Sequence, residues 1–266
     1  MSFPPDYHMH TPLCRHAEGE PVELARGALE LGFTEIGFSD HSPMSRDDFD
    51  DWRMLDRQLD EYVEKVRFAQ RTFPQLTIRL ALEVDYLPGQ EEWIRALAAR
   101  HSWDYFIGSV HYVSGGWDID SPFKRSLWEK CDVDAIWTEY LERLTQAAAS
   151  GMFEIIGHVD LPKKFGYLPK RDLTPLWENF FATVKQGGCA IELNTAGLRK
   201  DCQEIYPSRR ILELAKQHGV PITFGSDAHS VAEVGASFDA AIQLARSVGY
   251  TECCRFEQRQ MTRIPF

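Results

Sequence analysis

The 266 residues of this chain include nine histidines. Seven of them, His8, His10, His16, His41, His111, His158 and His229, have carboxylates close by or at equivalent places in the sequence. Asp40 adjoins His41, Asp160 lies two residues after His158, Asp227 lies two before His229, and Glu83 ends the apolar run Leu80-Ala81-Leu82. Clustered imidazoles and carboxylates are costly to hold away from water and hard to satisfy with hydrogen bonds alone. A bound divalent cation resolves both problems, and neutral imidazole with carboxylate suits Zn, Mn or Fe. In His8-Met9-His10 both imidazoles lie on one side of an extended segment, because the side-chain period of a strand is two. Asp227-Ala228-His229 repeats that spacing. A four-coordinate zinc uses about three or four donors, so this set suits two or three ions with a carboxylate bridging two of them. Glu83 is the candidate bridge. Two ions about 3.5–4 Å apart can share an activated water and polarise a phosphoryl oxygen. His101 and His218 follow helix-like stretches, where an imidazole can bond the terminal carbonyls and favour the dipole.

These residues need a scaffold that gathers distant loops, and the apolar pattern supplies one. Strand-like runs are predicted at Ile36–Phe38, Ile78–Leu82, Tyr105–Val110, Glu154–Ile156, Ala190–Leu193 and Ile222–Phe224, with a short one at Tyr7–Met9 before them. Most are continuously apolar, as expected for parallel strands covered on both faces. Between them the spacing predicts helices at Pro21–Leu31, Leu55–Arg71, Glu91–Arg100, Asp134–Ala149, Pro175–Lys185, Ser208–Gln217 and Val231–Ser247. Alternation of this kind implies a parallel sheet with crossover helices. Seven such units in one domain spanning residues 1–266 suit a closed or nearly closed barrel; a doubly wound open sheet is the alternative, although no glycine-rich phosphate fingerprint follows the first strand. In a parallel barrel the strand C-terminal ends share one rim, and all seven histidines sit at or just beyond such ends.

Composition is that of an ordinary globular protein, 44% apolar and 26% charged. The formal charge of −11 repels nucleic acid, so no nucleic-acid partner is expected. No apolar run reaches the ~18–20 residues of a membrane span. The six cysteines form no CxxC pair, and the chain opens with neither a basic nor an apolar targeting stretch, so free thiols in the cytoplasm are expected. The oligomeric state is not legible.

The motifs carrying the histidines resemble those of the polymerase-and-histidinol-phosphatase (PHP) family. The likeness runs through Asp6-Tyr7-His8-Met9-His10-Thr11, Gly37-Phe38-Ser39-Asp40-His41, Glu83-Val84-Asp85-Tyr86, Gly108-Ser109-Val110-His111, Gly157-His158-Val159-Asp160 and Gly225-Ser226-Asp227-Ala228-His229. The stretch Glu192-Leu193-Asn194-Thr195-Ala196-Gly197-Leu198-Arg199 points to the histidinol-phosphatase branch. The resemblance implies an α/β fold, a distorted (β/α)7 TIM-like barrel of PHP type, carrying three divalent metal ions (Zn, Mn or Fe). It implies a first ion on His8, His10, Glu83 and Asp227, a second on Glu83, His111 and His158, and a third on His16, His41 and His229. Asp40 is then a ligand or a partner of one. Ala81 stands where the family often has Gly, a small departure two residues before the bridge.

The implied activity is hydrolysis of a small phosphomonoester, histidinol phosphate, in histidine biosynthesis. Arg199 is the candidate for gripping the phosphate, with a surface salt bridge as its alternative. Lys163 and Lys164 are further candidates, or else solvated loop charges. Asp160 would pair with the substrate ammonium or give the leaving group its proton. Trp117 would cover the imidazole, or pack within its loop. Rival readings are another phosphoesterase of the same family acting on a small metabolite or nucleotide, a metal hydrolase of C–N bonds on a similar barrel, and a non-catalytic barrel.

Overall fold

The computed structural model describes residues 3–266. Its centre is a curled parallel sheet of six strands in sequential order, β1 (Glu35–Phe38), β2 (Thr77–Asp85), β3 (Tyr105–Ser109), β4 (Ile155–Ile156), β5 (Ala190–Asn194) and β6 (Ile222–Gly225). The segment predicted as a short strand at Tyr7–Met9 pairs through isolated bridges. Asp6 bridges Ile36 at one edge of the sheet and Phe224 at the other, and Met9 bridges Ala228. Gly37 N–H donates to Asp6 O (2.8 Å) and Tyr7 N–H to Phe224 O (3.1 Å), so this segment touches both edge strands.

The strand period of two sorts side chains between two layers. Leu80, Leu82, Phe106, Ile191 and Leu193 face outward and join the large core with residues of the surrounding helices. Ala81, Ile107 and Ala190 share the inner face with Glu83, Ser109 and Glu192, each two residues further on. The inner residues toward the N-terminal ends of the strands form a separate apolar cluster with Tyr7, Tyr105, Ile155 and Phe256. The inner residues toward the C-terminal ends are polar, and the candidate site begins there.

The helices are α1 (Pro21–Leu31), α2 (Leu59–Thr72), α3 (Glu91–Ala98), α4 (Val133–Ala149), α5 (Thr174–Gly187), α6 (Arg209–Gln217) and α7 (Phe238–Val248). In α2, Leu59, Tyr62, Val63, Val66 and Ala69 are buried, the i, i+3, i+4 stripe of a helix laid on a sheet. α1 opens with Pro21 and stops at Gly32 in the left-handed region (φ 89°). Two predicted boundaries are corrected. The stretch from Leu55 begins with a 3-10 turn over Asp56–Gln58 before α2. The stretch from Val231 is a 3-10 turn at Val231–Glu233, then a break, and α7 starts only at Phe238. Gly235 (φ 61°) and Ser237 (φ 62°) adopt left-handed backbone that a continuous helix excludes.

Two hairpins were not expected. One pairs Tyr112–Val113 with Trp117–Asp118. The other joins β7 (Glu252–Glu257) to β8 (Gln260–Pro265) and places Cys254 and Phe256 under the inner apolar cluster. All six cysteines are free thiols. No helix among the described residues is long and apolar enough to cross a membrane.

Candidate metal centre

Glu83, at the C-terminal end of β2, is the hub of the inner polar layer. Its side chain is 2% exposed, and its two oxygens face different partners. Oε1 accepts from Ser109 Oγ (2.6 Å) and lies 2.9 Å from His158 Nε2 and 3.6 Å from His111 Nε2. Oε2 lies 2.7 Å from His41 Nδ1, 3.4 Å from His8 Nε2 and 3.8 Å from His10 Nε2. Asp227 Oδ1 closes the second group, 3.2 Å from His10 Nε2 and 3.9 Å from His8 Nε2.

The ligand atoms of His8, His10 and Asp227 all lie within 4.8 Å of one another, and so do those of Glu83, His111 and His158. Both groups can hold an ion. His8 Nε2 and His10 Nε2 are buried with no hydrogen-bond partner, the condition a cation between them and the carboxylates would relieve. The third expected group is arranged differently from the expectation. His41 gathers with His10 and His229, whereas His16 gathers with Cys14 and His229.

The pair His16–His229 itself calls for a cation. His16 Nδ1 is 2.8 Å from Cys14 O, and His229 Nδ1 is 3.0 Å from Asp227 O. A carbonyl only accepts, so each Nδ1 carries the proton and each Nε2 presents a lone pair. Those two Nε2 atoms stand 3.0 Å apart. Burial, then the neighbouring His10 charge, lowers the pKa of both rings, so they are neutral donors.

A layer behind the imidazoles fixes their orientation. His8 Nδ1 is 2.6 Å from Glu192 Oε1, so Nε2 faces the cluster. Glu192 Oε2 accepts from His158 N–H (3.1 Å) and Asn194 Nδ2 (3.1 Å). Glu192 needs the space over Gly225, where a Cβ would run into its Oε1. His111 Nδ1 leans on Asp85 Oδ1 (2.9 Å), and Asp85 is in turn held by Arg53 Nη2 (2.8 Å). Asp40 stands behind His10, its Oδ1 3.4 Å from Nδ1, and accepts from His41 N–H (2.8 Å) and from the Thr11 hydroxyl. Asp227 adopts φ 52°, a left-handed conformation that Asp tolerates. Its backbone is clamped by Arg199, whose Nη2 donates to Ser226 O (2.8 Å) and Asp227 O (3.2 Å).

Electrostatics follow this layout. Burial alone would raise the Glu83 pKa, but His41, His8 and His111 hold it well below the usual carboxylate range. Burial disfavours charge on His8, yet Glu192, Asp227 and Glu83 together raise it well above 6.5. Against the same burial penalty, Asp85 and then Glu83 push His111 up to about 10. The nine expected ligands thus come together, with Asp40 beside them.

The other expected residues divide. Arg199 keeps Nη1 buried and without a partner next to Asp227, and its Nε lies 3.1 Å from Glu233. Lys163 is 2% exposed, and its ammonium is occupied by Asp160 (2.9 Å), Glu204 (2.8 Å) and Ile205 O (2.7 Å). Asp160 takes Lys163 and Ser208 N–H on Oδ2 while Oδ1 is buried and unpartnered, and burial raises its pKa despite Lys163. Both also line a groove of about 770 Å³ with Trp137, Trp177 and Arg210. Trp117 packs on Trp128 (ring centroids 5.0 Å) and touches no histidine of the cluster. The aromatic ring over the cluster is Trp52, with centroids 4.6 Å from His41 and 5.4 Å from His111. Sequence reasoning missed Trp52 and Glu192. Trp52 had no signal, while Glu192 was marked by being a lone charge in the apolar run Ala190–Leu193.

Comparisons with known proteins identify the family. The PHP domain profile matches residues 6–196, and a PHP-associated profile matches residues 207–238. A Deinococcus radiodurans protein named "Probable histidinol-phosphatase" is 42% identical, over 92% of this chain and 93% of its own length. The histidinol-phosphatase of Bacillus subtilis is 29% identical, over 90% of this chain and 98% of its own. A histidinol phosphate phosphatase from Lactococcus lactis subsp. lactis, solved with zinc, L-histidinol and phosphate, shares the fold with a TM-score of 0.83 at 21% identity, covering 98% of this chain and 100% of that one.

Proposed function

The chain belongs to the PHP domain family and to its histidinol-phosphatase branch, and from that premise we propose that it is a metal-dependent phosphomonoester hydrolase that converts L-histidinol phosphate and water to L-histidinol and phosphate in histidine biosynthesis. One observation carries the reading: Glu83 turns one oxygen to His111 and His158 and the other to His8, His10 and His41. A carboxylate so placed could bridge two cations. The scaffold is a distorted (β/α)7 barrel completed by the N-terminal segment.

His8, His10, Glu83 and Asp227 would hold the first ion, Glu83, His111 and His158 the second, and His16, His41 and His229 a third. Zn, Mn and Fe all suit these donors. When bound, such ions activate water near neutral pH and neutralise charge on phosphoryl oxygens.

The chain's own groups do the rest. Glu192 and Asp85 keep the His8 and His111 tautomers with Nε2 toward the cluster. Asp40 holds His10 and the His41 backbone. The free Nη1 of Arg199 is the donor for a phosphate oxygen, since Nη2 is committed to the backbone. Asp160, with one unpartnered oxygen and a raised pKa, gives the departing alkoxide its proton or receives the substrate ammonium. Lys163 serves as its counter-ion. Trp52 supplies the apolar cover for an imidazole that Trp117 is not placed to give.

The test is a screen of metal-reconstituted protein against histidinol phosphate, other phosphomonoesters, nucleotides and a phosphodiester, with metal content measured in parallel. The highest kcat/KM on histidinol phosphate is expected. Preference for a nucleotide or another metabolite would move the protein to a different substrate within the family, and no turnover by fully metallated protein would overturn the enzymatic reading.

A further inference from the structure

We propose that Cys14 is a thiolate ligand of the ion held by His16 and His229, giving that one position a soft donor. The inference rests on the metal-centre reading above and adds a residue to it. Thr11 starts a 3-10 turn over Pro12–Cys14, with its side chain accepting from Leu13 N–H (3.3 Å). Arg15 then takes the left-handed conformation (φ 68°), which turns the chain back so that Cys14 O meets His16 Nδ1 at 2.8 Å. One short turn therefore sets both the His16 tautomer and the place of the sulfur. Cys14 is fully buried. Its Sγ and one ring nitrogen each of His16 and His229 lie within 4.8 Å of one another, and it forms a similar group with His10 and Asp40.

The two imidazoles already present facing lone pairs 3.0 Å apart, a site that lacks only a cation and further donors. A tetrahedral zinc site with two histidines and a cysteine has ordinary composition. Ligation would form one sulfur–metal bond, break the S–H bond and release its proton to solvent, with no change of oxidation state. Thiolate favours zinc over manganese more than imidazole or carboxylate does, so the sulfur would bias this ion toward zinc while the Glu83 pair stays tolerant.

The experiment uses the full-length protein loaded with cobalt(II), compared with C14S and C14A, cobalt content and circular dichroism being measured on each. The expected result is a near-ultraviolet sulfur-to-cobalt charge-transfer band in the wild type that is lost in both variants. Zinc-edge X-ray absorption of the unmodified protein needs no variant and is expected to show a sulfur at about 2.3 Å besides nitrogen and oxygen at about 2.0–2.2 Å. Wild-type protein that binds cobalt without the band, or a band unchanged in C14S, overturns the Cys14 assignment and leaves the metal centre standing. Failure to bind any cobalt overturns both.

Discussion

Replacing Glu192 by Gln changes one charge and almost no volume, which makes it a sharp probe of how the centre is oriented. Glu192 is 1% exposed and accepts with both oxygens, Oε1 facing His8 Nδ1 at 2.6 Å and Oε2 taking His158 N–H and Asn194 Nδ2 at 3.1 Å each. Glutamine offers one acceptor and one donor group. If its oxygen stays on His8, its NH2 faces two buried donors, each left unsatisfied at a cost of about 1–3 kcal/mol. If the amide flips, NH2 donates to His8 Nδ1 and the imidazole proton moves to Nε2, the atom proposed to bind metal. Either outcome weakens the centre, and loss of such an orienting partner typically reduces metal affinity or activity by about 10–100-fold. Chelator competition at pH 8 would read the affinity, with kcat at saturating metal and the thermal midpoint measured alongside. E192Q protein whose metal affinity and midpoint both match the wild type would refute the orientation argument.

Four further outcomes follow from the same structure. Glu83→Ala should lose bound metal and all turnover, checked by metal analysis and kinetics; a metallated, active variant would rule out the bridge. Arg199→Met should keep its metal and lose about 10–100-fold in kcat/KM on phosphomonoesters, the range of about 1.5–3 kcal/mol for a charge-assisted bond; because Arg199 also clamps Asp227, the metal count is measured with it. Lys163→Met should lower stability by about 3–5 kcal/mol in denaturant unfolding, because Asp160 is left as an uncompensated buried carboxylate; an unchanged midpoint would show that the ion pair is not structural. Metal affinity should tighten as pH rises. His111 is raised to about 10, so in metal-free protein it carries a proton below that pH which an ion must displace, and each unit of pH below it weakens binding about tenfold for that group. For the metal-free fold the sign is opposite: the raised His111 stabilises fully below about 6.5, and that contribution fades as pH climbs through about 10. Isothermal titration across pH 6–9 checks the first, and affinity that falls with pH would contradict it.

How much was legible depended on how local each signal was. Largely apolar runs, broken at single residues such as Arg79, Glu192 and Thr223, marked all six sheet strands, because strands covered on both faces need no regular polar alternation. The nine residues proposed as ligands could be picked out of the sequence because metal donors are a short list of residue types at strand ends. The C-terminal hairpin was hidden by its turn. Gln258 (φ 48°) and Arg259 (φ 64°) take left-handed conformations that usually call for Asn or Gly. The late start of α7 was hidden because Val231 and Val234 continue a helical apolar pattern that Gly235 and Ser237 interrupt only in the backbone. Lys163 reads as a phosphate-binding candidate or a solvated loop charge in the sequence, and its structural role was hidden because nothing local places Glu204 and the Ile205 carbonyl around it. Trp52 reaches the cluster from the long loop between β1 and α2, a contact set only by tertiary packing.

Anomalous diffraction from crystals grown with zinc tests the central claim most directly, since it locates ions without reference to activity. The account predicts two peaks about 3.5–4 Å apart flanking Glu83, with a third beside His16 and His229. A metal-replete, catalytically active crystal with no anomalous density at Glu83 would contradict it.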